Sequence, residues 1–97
     1  MKPAVFLSPA LTEMAEAAMF YDAQVRGLGE AFLDTIDRAV QDIQQHLRRW
    51  PVIARGVRRR LVGRFPYGVL YREAKTEIVI VAIMHLHRRP DYWLERV

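Results

Sequence analysis

Two runs in the last third of the chain carry the clearest pattern. Residues 65–72 alternate, with Tyr67, Val69 and Tyr71 on one face and Gly68, Leu70 and Arg72 on the other, which is the two-residue period of a strand. Residues 78–84 are apolar without a break. A run this short and this rich in Val and Ile predicts a strand buried on both faces, central in its sheet. Ala74, Lys75 and Thr76 form the hairpin turn between the two. A polar and aromatic tail follows at once, from His85 through Arg88, Arg89 and Pro90 to Tyr92 and Trp93.

The earlier residues supply what covers that strand. Residues 4–7 form a short apolar run and predict a first strand. Ser8 suits a helix cap and Pro9 a first turn. Leu11, Met14, Ala15, Ala18, Tyr21 and Val25 then recur at helical spacing, with Glu13 and Glu16 near the positive end of the helix dipole. Gly27-Leu28-Gly29 predicts a tight turn. A second helix is expected over residues 30–48, with Phe32, Ile36, Ala39, Val40, Ile43 and Leu47 in one stripe and Arg48 and Arg49 in its last turn. Trp50-Pro51 stops it. Residues 57–62 place Leu61 and Val62 among arginines and predict an edge strand blunted by charge. Residues 91–97 predict a short C-terminal turn or helix. The order is strand, two helices, three strands. This is an α+β domain of β-α-α-β-β-β order, a helix hairpin packed on a mostly antiparallel four-stranded sheet. The expected core comprises Leu11, Ala18, Phe32, Ile36, Val40, Ile43, Ile78, Ile80 and Ile83. Which face of the buried strand meets the helices is not set by the pattern.

The 97 residues suffice for one domain, spanning 1–97, and 52% of them are hydrophobic, enough for one core. Cysteine is absent, which excludes disulfides and thiolate metal sites. No stretch approaches the roughly 20 apolar residues of a membrane span, and no signal peptide is evident, so a cytoplasmic protein without a membrane partner is expected. Charge changes the picture more. Residues 1–48 carry four basic and seven acidic side chains, residues 49–97 eleven and four. Such polarity points to an acidic partner, either nucleic acid or an acidic protein segment.

The element order, Gly27-Leu28-Gly29 between helices, Phe65-Pro66-Tyr67 opening a strand, and His85 before Arg88-Arg89-Pro90-Asp91-Tyr92-Trp93 together resemble the RelE/ParE superfamily of toxins from type II toxin–antitoxin systems, and the ParE branch more than the RelE branch. The resemblance covers nearly the whole chain. It implies a small bacterial toxin neutralised by a cognate antitoxin whose C-terminal segment wraps around it. ParE-like members poison DNA gyrase. RelE-like members cleave mRNA in the ribosome, which makes ribosome and mRNA the alternative partners.

A metal-free ribonuclease needs a base, an acid and cations for the phosphate. His85, Arg64, Arg88 and Tyr92 are the candidates for that chemistry. Yet no Asp or Glu lies between Asp42 and Glu73, and Lys75 is the only lysine after Lys2, so both the carboxylate and the lysine sets of the RelE-like enzymes are missing. Protein binding is favoured over catalysis. Two adjacent arginines beside two aromatics resemble a binding hot spot, so His87, Arg88, Arg89, Tyr92 and Trp93 are the expected target-binding patch. Arg58, Arg60, Tyr67, Tyr71 and Arg72 are the expected antitoxin-binding set. His85 and His87 share a strand face but lack a third ligand, so no metal is expected, nor any other cofactor.

Overall fold

A five-stranded sheet with the strand order β1-β5-β4-β3-β2 carries two helices on one face. The computed structural model describes residues 1–97. In chain order the elements are β1 (Ala4–Phe6), α1 (Ser8–Gln24), α2 (Leu28–Gln45), β2 (Val52–Ala54), β3 (Val57–Leu61), β4 (Tyr67–Glu73) and β5 (Ile78–His85), followed by a 3-10 turn (Leu94–Arg96). Strand β1 runs parallel to β5, and the remaining pairs are antiparallel. No helix is long and apolar enough to cross a membrane.

Strand β5 is central, as its apolar run predicts, with every residue from Ile78 to Met84 buried. Its two faces are not in simple alternation. Leu70 pairs with Ala82 but Tyr71 pairs with Ile80, so Val81 is an extra residue opposite β4. Such a bulge flips the side-chain parity. Ile78, Ile80 and Ile83 consequently all face the helices, in a core with Phe32, Ile36, Val40, Ile43, Val69 and Tyr71. Val79, Val81, Ala82 and Met84 face the other way, with Val57, Leu70 and Trp93.

Five strands stand where the pattern predicts four. The additional strand, β2, joins β3 by a two-residue turn in which Arg55 (φ 49°) and Gly56 (φ 73°) are both left-handed. That geometry matches the twist of an antiparallel pair. It puts β2 at the edge and takes the first residues of β3 into the sheet, so β3 is not the edge strand expected of it.

The helices also depart in detail. Leu7, not Ser8, occupies the cap of α1, and Ser8 and Pro9 lie within its first turn. The buried stripe of α1 is Ala10, Ala17 and Ala18, with Met14 and Tyr21 packed against it, and the expected core residue Leu11 is 47% exposed. Helix α2 starts at Leu28 and ends at Gln45, which leaves Arg48 and Arg49 beyond it and not in its last turn. Asp22 at the end of α1 accepts from Gly27 N (2.9 Å) and Gly29 N (3.2 Å), satisfying free amide groups at the start of α2. Gly29 is where the helices touch: a Cβ there would lie 2.3 Å from Ala18 O.

Candidate functional site

The chain leaves β5 at His85 and folds back under the sheet. The His87 amide donates to His85 Nδ1 (3.0 Å), and the His85 ring packs edge-on to Tyr67 at 5.1 Å. Arg88 and Arg89 follow at the surface. Arg89 pairs with Asp91 at 3.1 Å. Arg88 places its guanidinium 3.8 Å from the Tyr92 ring centre, a cation–π arrangement. Trp93, expected in the surface patch, turns inward: it is 1% exposed, packs in the core of the second sheet face, and donates its indole N–H to Pro90 O (2.8 Å). As placed here it anchors the tail and offers no surface. The rim of the patch is Phe20 from α1, which is 59% exposed, over a shallow hollow lined by Glu13, Glu16, Ala17, Tyr67 and Arg88.

One carboxylate, absent from the sequence candidates, ties this region together. Glu13 Oε1 accepts from Ile83 N (3.1 Å) and Arg96 Nη1 (2.9 Å). Its Oε2 accepts from the Tyr92 hydroxyl and Arg96 Nη2 (3.0 Å), and lies 3.5 Å from Arg88 Nη1. Burial pushes the Tyr92 phenol well above its ordinary value, and the bond to Glu13 adds to the effect. Arg96 is raised first by its bond to Glu13. A glutamate six positions into a helix gives no sequence signal of a contact some 70 residues away.

The expected antitoxin set divides by strand face. Arg58 pairs with Tyr71 and Arg60 with Val69, so both point to the helix side. There Arg58 donates to Trp50 O (2.6 Å) and Arg48 O (3.3 Å). Arg60 meets Asp42 at 2.6 Å and stacks at 5.1 Å on Trp50. Together they fasten the chain that follows α2. Tyr71 is fully buried, its hydroxyl donating to Leu47 O (2.7 Å), and burial raises its pKa. Tyr67 is partly buried among Tyr21, Phe32 and His85. Arg72 differs in lying on the opposite face, diagonal to Arg59; its Nε, like that of Arg60, is buried without a partner. Arg59, over Gly68, and Arg64, beside the Phe65 ring at 5.4 Å, likewise pair with no carboxylate. Among the arginines of β3, β4 and the loop between them, these three form no ion pair, and strand parity separates Arg59 and Arg72 from Arg58 and Arg60.

The His85 and His87 rings stand 5.0 Å apart, and no group of three His, Asp or Glu side chains is placed to hold a metal ion. Arg64, the fourth residue of the ribonuclease alternative, sits in the loop before β4 and joins neither the Glu13 cluster nor the histidines by any hydrogen bond or ion pair.

The architecture recurs in solved structures. A chain from the chromosomal ParDE TA system of P. aeruginosa superposes with a TM-score of 0.67 at 18% identity, over 90% of this chain and 98% of that one. No curated protein matches the chain. The family model described as the ParE toxin of the type II toxin–antitoxin system parDE matches residues 5–90, and the chain belongs to that toxin family.

Proposed function

We propose that this chain acts by binding a protein target, DNA gyrase, through the surface formed by His87, Arg88, Arg89, Tyr92 and the exposed Phe20, in the cytoplasm, and that a cognate antitoxin neutralises it. The observation that carries this reading is how two of the proton-transfer groups, Tyr92 and Glu13, are committed. The Tyr92 hydroxyl donates to Glu13, and both Glu13 oxygens already accept from Ile83 and Arg96. Acid–base cleavage needs such groups free to exchange protons with a substrate. Here they fix the tail, while Arg88 and Arg89 remain exposed, Arg88 against the Tyr92 ring, as at a protein hot spot. The target's identity rests on family membership.

The antitoxin is proposed to lay an acidic segment over the sheet face that bears Arg59 and Arg72, and to reach Arg64. An extended, disordered segment that orders on binding suits such a surface.

The test is expression of the chain without its partner in bacterial cells, with plasmid supercoiling and mRNA integrity measured together. Growth arrest with disturbed supercoiling and intact mRNA is expected. Ribosome-dependent mRNA cleavage with normal supercoiling would replace this reading with the endoribonuclease one.

A further inference from the structure

We infer that Glu13 is the positioning residue of the target-binding surface, a role that rests on the proposed function above. Strand β1 covers the outer edge of β5 only from Ile78 to Ile80, with Leu7 N closing on Ile80 O (3.0 Å). Past that point the edge presents Val81 O and Ile83 N with no strand to pair them, and buried backbone groups require partners. Two side chains take the place of the missing strand. Glu13 accepts from Ile83 N, and Arg96 Nη1 donates to Val81 O (3.1 Å). The two also bind each other through both carboxylate oxygens, the strong bidentate arrangement.

The same carboxylate then reaches the surface. Its Oε2 holds the Tyr92 hydroxyl and lies against Arg88, and the Arg88 and Arg96 guanidinium groups sit 3.8 Å and 5.0 Å from the Tyr92 ring centre. The position of Arg88 and Tyr92 is thus tied to a group on α1 as well as to the Trp93 anchor of the tail. The Glu13 side chain is only 11% exposed. A carboxamide cannot replace it. Four residues bring five donor groups to it, and whichever way a Gln amide is turned, its nitrogen would confront an Arg96 N–H with a donor of its own, while only the Tyr92 hydroxyl could turn to accept. Glu16, one turn further along the same hollow, makes none of these bonds and serves as the control.

The experiment compares full-length Glu13→Gln, Glu16→Gln and Arg88→Ala, and the Glu13→Gln/Arg88→Ala double variant, at matched soluble levels. Growth arrest, cooperative thermal unfolding, amide exchange at Ile83 and tyrosine absorbance titration are recorded for each. Glu13→Gln should melt cooperatively, lose at least 10-fold in potency, exchange its Ile83 amide at least 10-fold faster, and bring the Tyr92 titration down toward the ordinary tyrosine value. The double variant should lose less than the two single losses combined, because Glu13 acts in part through Arg88, whereas general destabilisation would add in full. Full potency in a folded Glu13→Gln, or additive losses, would overturn the inference. If Glu13→Gln does not fold, Tyr92→Phe removes only the hydroxyl tie and decides by the same readings: reduced potency supports the role and unchanged potency ends it. Inactive Arg88→Ala beside active Glu13→Gln defeats this inference alone. Active Arg88→Ala defeats the surface itself, and the inference with it.

Discussion

Replacing Gly29 with alanine should destabilise this protein, against the usual direction. Inside a helix, alanine is better than glycine by about 1 kcal/mol. Gly29 lies in the first turn of α2, where α1 crosses it. The added Cβ would stand 2.3 Å from Ala18 O and 2.9 Å from Asp22 Cβ. Both belong to α1, and Ala18 O is backbone, so no rotamer relieves the clash. The helices must part by about 1 Å to restore ordinary contact, and overpacking of this kind costs about 1–3 kcal/mol. The same movement strains the Asp22 bonds to Gly27 N and Gly29 N, a cap worth about 1 kcal/mol. Set against the propensity gain, the net loss is about 1–3 kcal/mol. For a domain of this size that lowers Tm by about 4–8 °C per kcal/mol. Urea and thermal unfolding followed by circular dichroism measure it. Gly63→Ala is the internal control: no atom lies within 4 Å of its Cβ position, and its effect should stay within about 0.5 kcal/mol. A Gly29→Ala variant as stable as the parent would refute the close-approach argument.

Ile36, 1% exposed at the centre of the helix-facing core, should lose about 2–5 kcal/mol on change to alanine in urea unfolding, and a loss below about 0.5 kcal/mol would remove it from the core. Reversing charge at Arg59 and Arg72 should weaken antitoxin binding and flatten its salt dependence with the fold intact. Reversing Arg58 and Arg60 should instead lower the melting temperature, because those two hold Trp50 O, Arg48 O and Asp42. Equal effects of the two pairs on titrated affinity would contradict the division by face. Glu73 is held below its ordinary value of 4.5 by hydrogen bonds from Lys2, then Arg48. Its stabilising contribution is therefore complete above pH 4.5 and is lost as the pH falls through the lower folded-state value. Lys2→Ala should raise the Glu73 midpoint in an NMR titration, and an unmoved midpoint would exclude the pairing.

The fold was legible where the period was unambiguous. The burial of β5, the alternation of β4 and the stripe of α2 all follow from residue type at fixed spacing. Helix α1 was not, because it is rich in alanine: a stripe through Leu11 and Ala15 reads as well as one through Ala10 and Ala17, and only packing chooses. Strand β2 was hidden by its turn, where Arg55 adopts a left-handed conformation that sequence rules reserve for Gly, Asn or Asp. The bulge at Val81 left no mark in an all-apolar run. At the candidate site, the exposed Arg88 beside Tyr92 was foreseeable. The burial of Trp93 and Tyr71 was not, since an aromatic residue near a sheet serves equally as core or contact. Consecutive arginines in β3 carry opposite roles because neighbours in a strand face opposite ways. Glu13 joins its partners only through tertiary folding.

The central claim, a protein-binding surface held by the C-terminal tail, is tested most directly by titrating purified gyrase with the purified chain. The account predicts saturable binding and inhibition of supercoiling by the parent, and loss of both in a folded Arg88→Ala variant. Absence of binding to gyrase, together with cleavage of ribosome-bound mRNA by the same preparation, would contradict it.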